Sequence, residues 1–229
     1  MSIGVVLTGS LSAPVTLYLA STSPARLATL RAVGVEPVAI APGVDEEAAV
    51  RAAEAAAGAP LAAPEMVQLL ARLKAEAVAE HAVDAAGAPL TGLVLGGDSA
   101  FEIGGAIHGK PHHPEVARER WHAQRGQSGD LHSGHWLIEM RDGAPVAAVG
   151  ASAVARVRFA ADIDDAELEA YIATGEPLFV AGAFTIDAKG AAYIERIEGD
   201  PHAVVGLSIP LLRTMVRELG YAWHDLWNR

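Results

Sequence analysis

Apolar and polar positions along the chain change their period several times, and each change marks an element. Residues 15–20 (VTLYLA) form an unbroken β-branched and aromatic run ended by Ser-Thr-Ser-Pro, the pattern of a buried strand. The next segment, Pro24 to Gly34, takes a helical period, with Ser23 placed to cap it, Pro24 at the first helical position and Gly34 to stop it. Residues 42–64 are Ala-rich and broken by prolines, which predicts a loop with one short helix. A long helix is expected over 64–86, with Met66, Leu69, Leu70, Leu73, Ala77 and Val78 near helical spacing.

Further along, residues 93–101 (LVLGGDSAF) read as a strand that carries one acid, Asp98, behind two glycines. A buried strand excludes a lone carboxylate unless that carboxylate sits at its working end. Gly104 and Gly105 predict a turn, Pro114 to Arg125 a helix, and residues 131–159 an antiparallel hairpin turning at Asp142-Gly143. Asp164 and Glu167 have the spacing of a capping box for a helix that closes near Gly175. A strand over 191–197 and an amphipathic helix over 208–219 complete the series. Helices alternating with strands, together with one hairpin, predict an α/β fold with a mixed sheet. Without internal repeats or a Pro/Ser linker, the expected organisation is an N-terminal extension at 1–14 and a single domain over 15–229.

Composition narrows the function classes. A chain of 229 residues is long enough for a self-sufficient core. With no cysteine, a disulfide scaffold, a thiolate zinc site and a Cys nucleophile are all excluded. Lys and Arg number 17 against 28 Asp and Glu, a net charge of −11 that repels nucleic acid and anionic lipid, so any phosphate site must be a local cluster. No apolar run is long enough to span a bilayer, and the opening MSIGVVLTGSLSAP lacks a basic leader, so a cytoplasmic location is expected.

Several motifs fail on their own chemistry. Residues 104–110 (GGAIHGK) have the spacing of a phosphate-cradling loop, but Pro111 stands where a hydroxyl must meet magnesium. His132 and His135, three residues apart on a strand, point to opposite faces and cannot form a metal pair. What remains has one charge logic. Ser21, Ser23 and Arg26 lie at a helix start after a strand, a ready anion site; Lys74 lies within a helix and Lys110 in a Gly-Lys-Pro turn; Asp45, Glu46 and Asp98 are the accompanying acids. Cations of this kind neutralise phosphate oxygens, while carboxylates hold a hard divalent cation or activate a water.

Residues 19–34 (LASTSPARLATLRAVG), 44–46 (VDE), 70–79 (LARLKAEAVA), 96–99 (GGDS), 109–111 (GKP), 171–177 (YIATGEP), 181–184 (AGAF) and 199–207 (GDPHAVVGL) resemble, in order, the signatures of the Maf family. The resemblance spans nearly the whole chain. It implies a two-lobed α/β structure with a mixed twisted sheet, flanking helices and a central cleft, similar to house-cleaning inosine triphosphatases. The activity it implies is that of a cytosolic nucleoside triphosphate pyrophosphatase that cuts between the α and β phosphates, requires a divalent cation (Mg2+ or Mn2+), and acts as a homodimer without a nucleic-acid or membrane partner.

Carried over by position, the resemblance makes Asp98 the catalytic acid residue and places Ser21, Ser23, Arg26, Lys74 and Lys110 on the substrate, with Asp98, Asp45 and Glu46 on the metal. It also marks departures. Pyrimidine-preferring members read Ser-Pro-Arg-Arg, Gly-Ala-Asp-Thr and Ile-Gln where this chain has Ala25 for the first arginine, Ser99 for the threonine and Asp187 for the glutamine. An ionised aspartate offers acceptors only, so the base preference is expected to drift toward bases with N–H donors, such as guanine or cytosine, or toward broad specificity, the alternative being that Asp187 points to solvent and other residues set the base pocket. The missing arginine and the added carboxylate also motivate a rival expectation, a nucleotide-binding regulator of cell division with little turnover. A phosphatase releasing orthophosphate is the further alternative.

Overall fold

The computed structural model describes residues 14–81, 83 and 87–229. Of the expected extension only Pro14 falls among them. In chain order the elements are β1 (Leu17–Ala20), α1 (Pro24–Ala32), β2 (Val38–Ala39), α2 (Glu46–Ala57), α3 (Ala63–His81), β3 (Gly92–Ile103), β4 (Ala106–His108), α4 (Pro114–Gln124), β5 (Ser128–Arg141), β6 (Ala144–Phe159), α5 (Asp165–Ala173), β7 (Ile194–Gly199), α6 (Pro201–Val205) and α7 (Ile209–Glu218). Short 3-10 turns occupy most of the segment between α5 and β7. The described strands form one mixed seven-stranded sheet in the order β2-β1-β3-β5-β6-β7, with β4 hairpinned onto β3. β1 runs parallel to β2 and β3; the β3-β5, β5-β6 and β6-β7 pairs are antiparallel.

Strand alternation sorts the first lobe into two layers. Leu17, Leu19, Leu93, Leu95 and Leu137 pack with Leu212, Met215 and Val216 of α7, while Tyr18, Ala20, Val94 and Ile138 pack with Ala75 and Val78 of α3. A second core forms farther along the same strands, where Phe101, Leu131, Val157 and Phe159 meet Trp121 of α4 and Leu168 and Tyr171 of α5. β3 therefore runs through both lobes, and Asp98 lies between Leu95 of the first core and Phe101 of the second.

Four expectations need correction. The segment 42–64 holds a full helix, α2, because the Asp45 side chain accepts from Ala48 N–H at its start and left-handed Gly58 ends it. The long helix ends at His81, and Val83 already pairs with Pro89 in an antiparallel bridge; residues 82 and 84–86 lie outside the described ones. The last strand begins at Ile194, since residues 189–193 form a 3-10 turn in which the Lys189 and Gly190 N–H groups donate to the Glu176 carboxylate. The buried stripe of α3 is Val67, Leu70, Ala71, Lys74, Ala75 and Val78, not the larger Met66, Leu69 and Leu73. Small residues face the sheet because the sheet presents glycines there.

That close approach is steric. A Cβ on Gly96 would stand 2.1 Å from the Ala71 carbonyl oxygen, and one on Gly134 would stand 2.3 Å from that of Val67. Gly96→Ala is therefore expected to lift α3 off the sheet and to cost about 3 kcal/mol. The matching fall in Tm, about 6 to 12 °C for a domain of this size, is measurable by thermal unfolding. Gly109→Ala, with nothing within 4 Å of the added Cβ, serves as the control and should leave Tm nearly unchanged.

Candidate active site

Asp98 shares the α3-facing side of β3 with Val94 and Gly96, four and two residues back, and so points at the helix. Lys74 stands on the sheet-facing stripe of that helix. Its Nζ donates to Asp98 Oδ1 at 2.6 Å and pairs with Glu46 Oε1, at the start of α2, at 2.9 Å. Lys74 and Asp98 are buried, whereas Glu46 is half exposed at the cleft. Burial pushes the Asp98 carboxyl above its ordinary range, opposed by the positive charges of Lys74 and Arg26.

The opposite face of β3 carries Gly97 and Ser99 toward α1. Arg26 lies there, buried, with Nε donating to Gly206 O at 2.8 Å, Nη1 to Ser21 Oγ at 3.2 Å and Nη2 to Ser99 Oγ at 3.1 Å. A Cβ on Gly97 would come within 3.2 Å of Arg26 Nε, so the guanidinium lies flat against bare backbone. Burial lowers the Arg26 pKa, and the charges of Asp98 and Glu46 resist that shift. Ser21 also accepts from Ser23 N–H, and Ser23 caps α1 through Arg26 N–H as the turn chemistry predicts.

Ser99 has no proton to spare. Ser133 Oγ donates to Ala203 O at 2.7 Å, so the 3.0 Å contact between the two hydroxyls must be a bond from Ser99 to Ser133. The position expected to read a base thus closes a relay from Arg26 through Ser99 and Ser133 to α6. His135, considered above for a metal, is buried and accepts from Ser208 N–H at 3.0 Å through Nε2, which places its proton on Nδ1. Burial, with Arg26 nearby, drives its pKa down to about 4, so it stays neutral while holding the α6-α7 connection whose Gly206 carbonyl grips Arg26. His132 points away, 3.5 Å from Glu102.

The remaining candidates line one cleft of about 1150 Å³, together with Ser23, Arg26, Lys74 and Asp98. Lys110, at the end of the β3-β4 hairpin, is exposed there, with no carboxylate partner among the described residues. Asp45 is exposed, and its Oδ1 is engaged as the α2 cap. Ala25 and Asp187 also line the cleft, and Asp187 is exposed. Sequence reasoning overlooked Glu176. Its carboxylate accepts from Thr185 Oγ1 at 2.6 Å, Gly190 N–H at 2.9 Å and Lys189 N–H at 3.2 Å, pinning the 185–190 segment that carries Asp187. Burial opposes ionisation of Glu176, but these donors hold its pKa below the usual carboxylate range. The only signal was its place in the TGEP turn after α5.

Removing the Lys74 ammonium strands a buried carboxylate. Lys74→Met is expected to cost about 3 to 5 kcal/mol at neutral pH. The folded-state pKa of Asp98 is already raised and rises further without Lys74, so the folded variant keeps a proton that the unfolded chain releases. Its stability is accordingly highest in acid and falls as pH rises through that folded pKa. The Tm gap to the parent should be smaller at about pH 4.5 than at about pH 7.5, and a gap independent of pH would exclude Asp98 as its source.

The chain matches the family model for Maf-like protein over residues 16–219. A relative from Leifsonia xyli subsp. xyli named nucleoside triphosphate pyrophosphatase is 66% identical over 213 residues, covering 93% of this chain and 97% of the relative. Relatives of the same name from Salinispora tropica and Thermosynechococcus vestitus are 47% and 42% identical, covering 95% and 94% of this chain and 90% and 99% of their own length. With the ordered signatures and the two-lobed mixed sheet, these matches establish that the chain belongs to the Maf-like protein family.

Proposed function

We propose that the protein is a nucleoside triphosphate pyrophosphatase, a hydrolase that opens the α–β phosphoanhydride to give a nucleoside monophosphate and pyrophosphate. The observation that carries this reading is the buried Lys74–Asp98 pair, with Glu46 on the same ammonium, at the wall of a nucleotide-sized cleft. Hydrolysis of a phosphoanhydride is mainly positioning and charge neutralisation. Lys74 and exposed Lys110 supply positive charge on the cleft wall, and Arg26, held by three internal acceptors, adds a fixed positive field behind it. Asp98 accepts the proton of the attacking water, and its raised pKa makes it a stronger base than a free aspartate. Ser21 and Ser23 shape the turn that holds Arg26. The net charge of −11 opposes a nucleic-acid partner, so an anionic substrate has to be met locally by Lys74, Lys110 and the field of Arg26. Among the described residues no helix is long and apolar enough to cross a membrane.

The donor set decides how a divalent cation fits. Among the described residues no group of three or more His, Asp or Glu side chains is arranged to hold a metal, but Asp98 and Glu46 both line the cleft and both contact the Lys74 ammonium, which an ion held by the pair would have to displace. Mg2+ and Mn2+ suit such a pair, because magnesium is commonly held by one or two carboxylates plus substrate phosphates and water. Asp98 and Glu46 would hold the ion, with Asp45 left to its cap. When bound, the cation neutralises phosphate charge beside the scissile bond.

Of the three positions expected to select the base, Ala25 has no polar group and Ser99 has spent its proton, which leaves Asp187 with acceptors only. We therefore assign a preference for bases that present an exocyclic amino group, such as guanine or cytosine, over uracil and thymine, whose single N3–H lies between two carbonyls that a carboxylate repels.

Asp98→Asn is expected to lower kcat at least about 10²-fold, read as pyrophosphate release, with the fold kept but Tm lowered because the buried Lys74 ammonium retains only Glu46 as a carboxylate partner. Near-normal turnover would remove Asp98 from the chemistry, orthophosphate as product would indicate a phosphatase, and binding without turnover would indicate a regulator. For the base, kcat/KM for GTP or CTP should exceed that for dTTP and UTP, and Asp187→Gln should shift the ratio about 5- to 150-fold toward the latter. A parent enzyme that prefers dTTP and UTP about tenfold or more over all others would overturn the assignment.

A further inference from the structure

Phe179 is the most exposed of the large apolar side chains described, at 64%, and it lines the same cleft as Lys74 and Asp98. It falls between the two signatures at 171–177 and 181–184, so the resemblance assigns it no role. A lone exposed ring is ordinary by itself, as on Trp227; Phe179 differs in lining the cleft that holds the buried ion pair.

Its mounting is rigid. Phe179 ends the 3-10 turn Glu176–Phe179, whose first residue is tied to Thr185, Lys189 and Gly190 and whose Pro177 is buried. The Leu178 carbonyl accepts from His112 N–H at 2.9 Å, joining the turn to the segment that follows Lys110. His112 has a left-handed φ of 63°, and its ring meets Phe179 edge to face at 6.1 Å and 71°. One edge of the phenyl ring is thus supported while most of its surface stays open. Lys110 lies two residues from His112 and Asp187 lies on the segment that Glu176 pins, so the cleft that the ring lines also carries a cation suited to phosphate and a carboxylate suited to a base edge.

We infer that Phe179 is the stacking face for the nucleobase of the substrate, an inference that rests on the nucleotide hydrolase reading above. A nucleobase is the flat, weakly polar group that a triphosphate-bearing substrate brings into this cleft, and stacking on an aromatic ring is tolerant of base identity. The stack supplies affinity, and Asp187 supplies the choice of edge. Because a purine presents the larger face, Phe179 matters more for purine than for pyrimidine nucleotides.

Phe179→Ala and Phe179→Trp test this by titration with α,β-methylene GTP, α,β-methylene UTP and inorganic tripolyphosphate, alongside steady-state pyrophosphate release. The alanine variant should weaken the GTP analogue about 5- to 150-fold, the range to which a stack of about 1 to 3 kcal/mol converts, and the UTP analogue less. Tripolyphosphate affinity and Tm should stay unchanged, KM should rise with kcat held, and tryptophan should restore the parent values. An unchanged affinity for the GTP analogue, or an equal loss for tripolyphosphate, overturns the inference. A parent protein that binds the analogues but releases no pyrophosphate sinks the hydrolase reading, and the titrations then decide the stack by themselves.

Discussion

Lys74 and Asp98 are two charges held out of water, and much of the surrounding architecture follows from that pair. Burying either alone costs several kcal/mol, so their 2.6 Å contact must form whenever the lobe folds. It forms only if α3 lies close enough for a lysine on its sheet-facing stripe to reach β3. The bare backbone of Gly96 and Gly134 permits that approach, and the small Ala71 and Ala75 complete it. A site built on a buried ion pair therefore depends on residues that carry no charge.

A second dependence runs through Arg26. Its three donors reach the β1-α1 turn, β3 and the α6-α7 connection, drawing together segments up to 180 residues apart in sequence. His135 extends the linkage by holding Ser208 N–H while staying neutral, so no second positive charge competes beside the guanidinium. The basic groups thus divide by task. Arg26 is internal scaffold and fixed field, Lys74 is paired with carboxylates, and Lys110 faces the cleft without a partner among the described residues.

The far wall of the cleft is built on aromatic packing. Phe101, Phe159, Phe184, Trp121 and Tyr171 make edge-to-face contacts, and Trp121 Nε1 and Gln124 Nε2 donate to the Ala183 and Gly182 carbonyls. These bonds fix the 181–184 turn just before the segment that Glu176 holds. The cleft lining therefore comes from separately packed cores joined by the long strands of one sheet.

Local chemistry was legible in the sequence wherever neighbours along the chain decide the outcome. Ser23 and Pro24 start α1, Asp164 and Glu167 form the capping box of α5, and Asp142-Gly143 turns the hairpin, because each interaction spans only a few residues. The oddity of an acid inside the β3 run also pointed to Asp98 by composition alone. Other features needed the fold. Lys74 looked like one polar residue in a helix, and only the register of α3 against glycines placed it on the buried stripe. The hydroxyl of Ser99 looked free to read a base until Arg26 and Ser133 consumed it. Glu176 and Phe179 looked like parts of a turn until three donors from residues 185–190 and the ring of His112 converged on them. Alternation and capping are decided by covalent neighbours, whereas the cost of burying a charge and the use of a hydroxyl's single proton are set by groups the chain brings together only on folding.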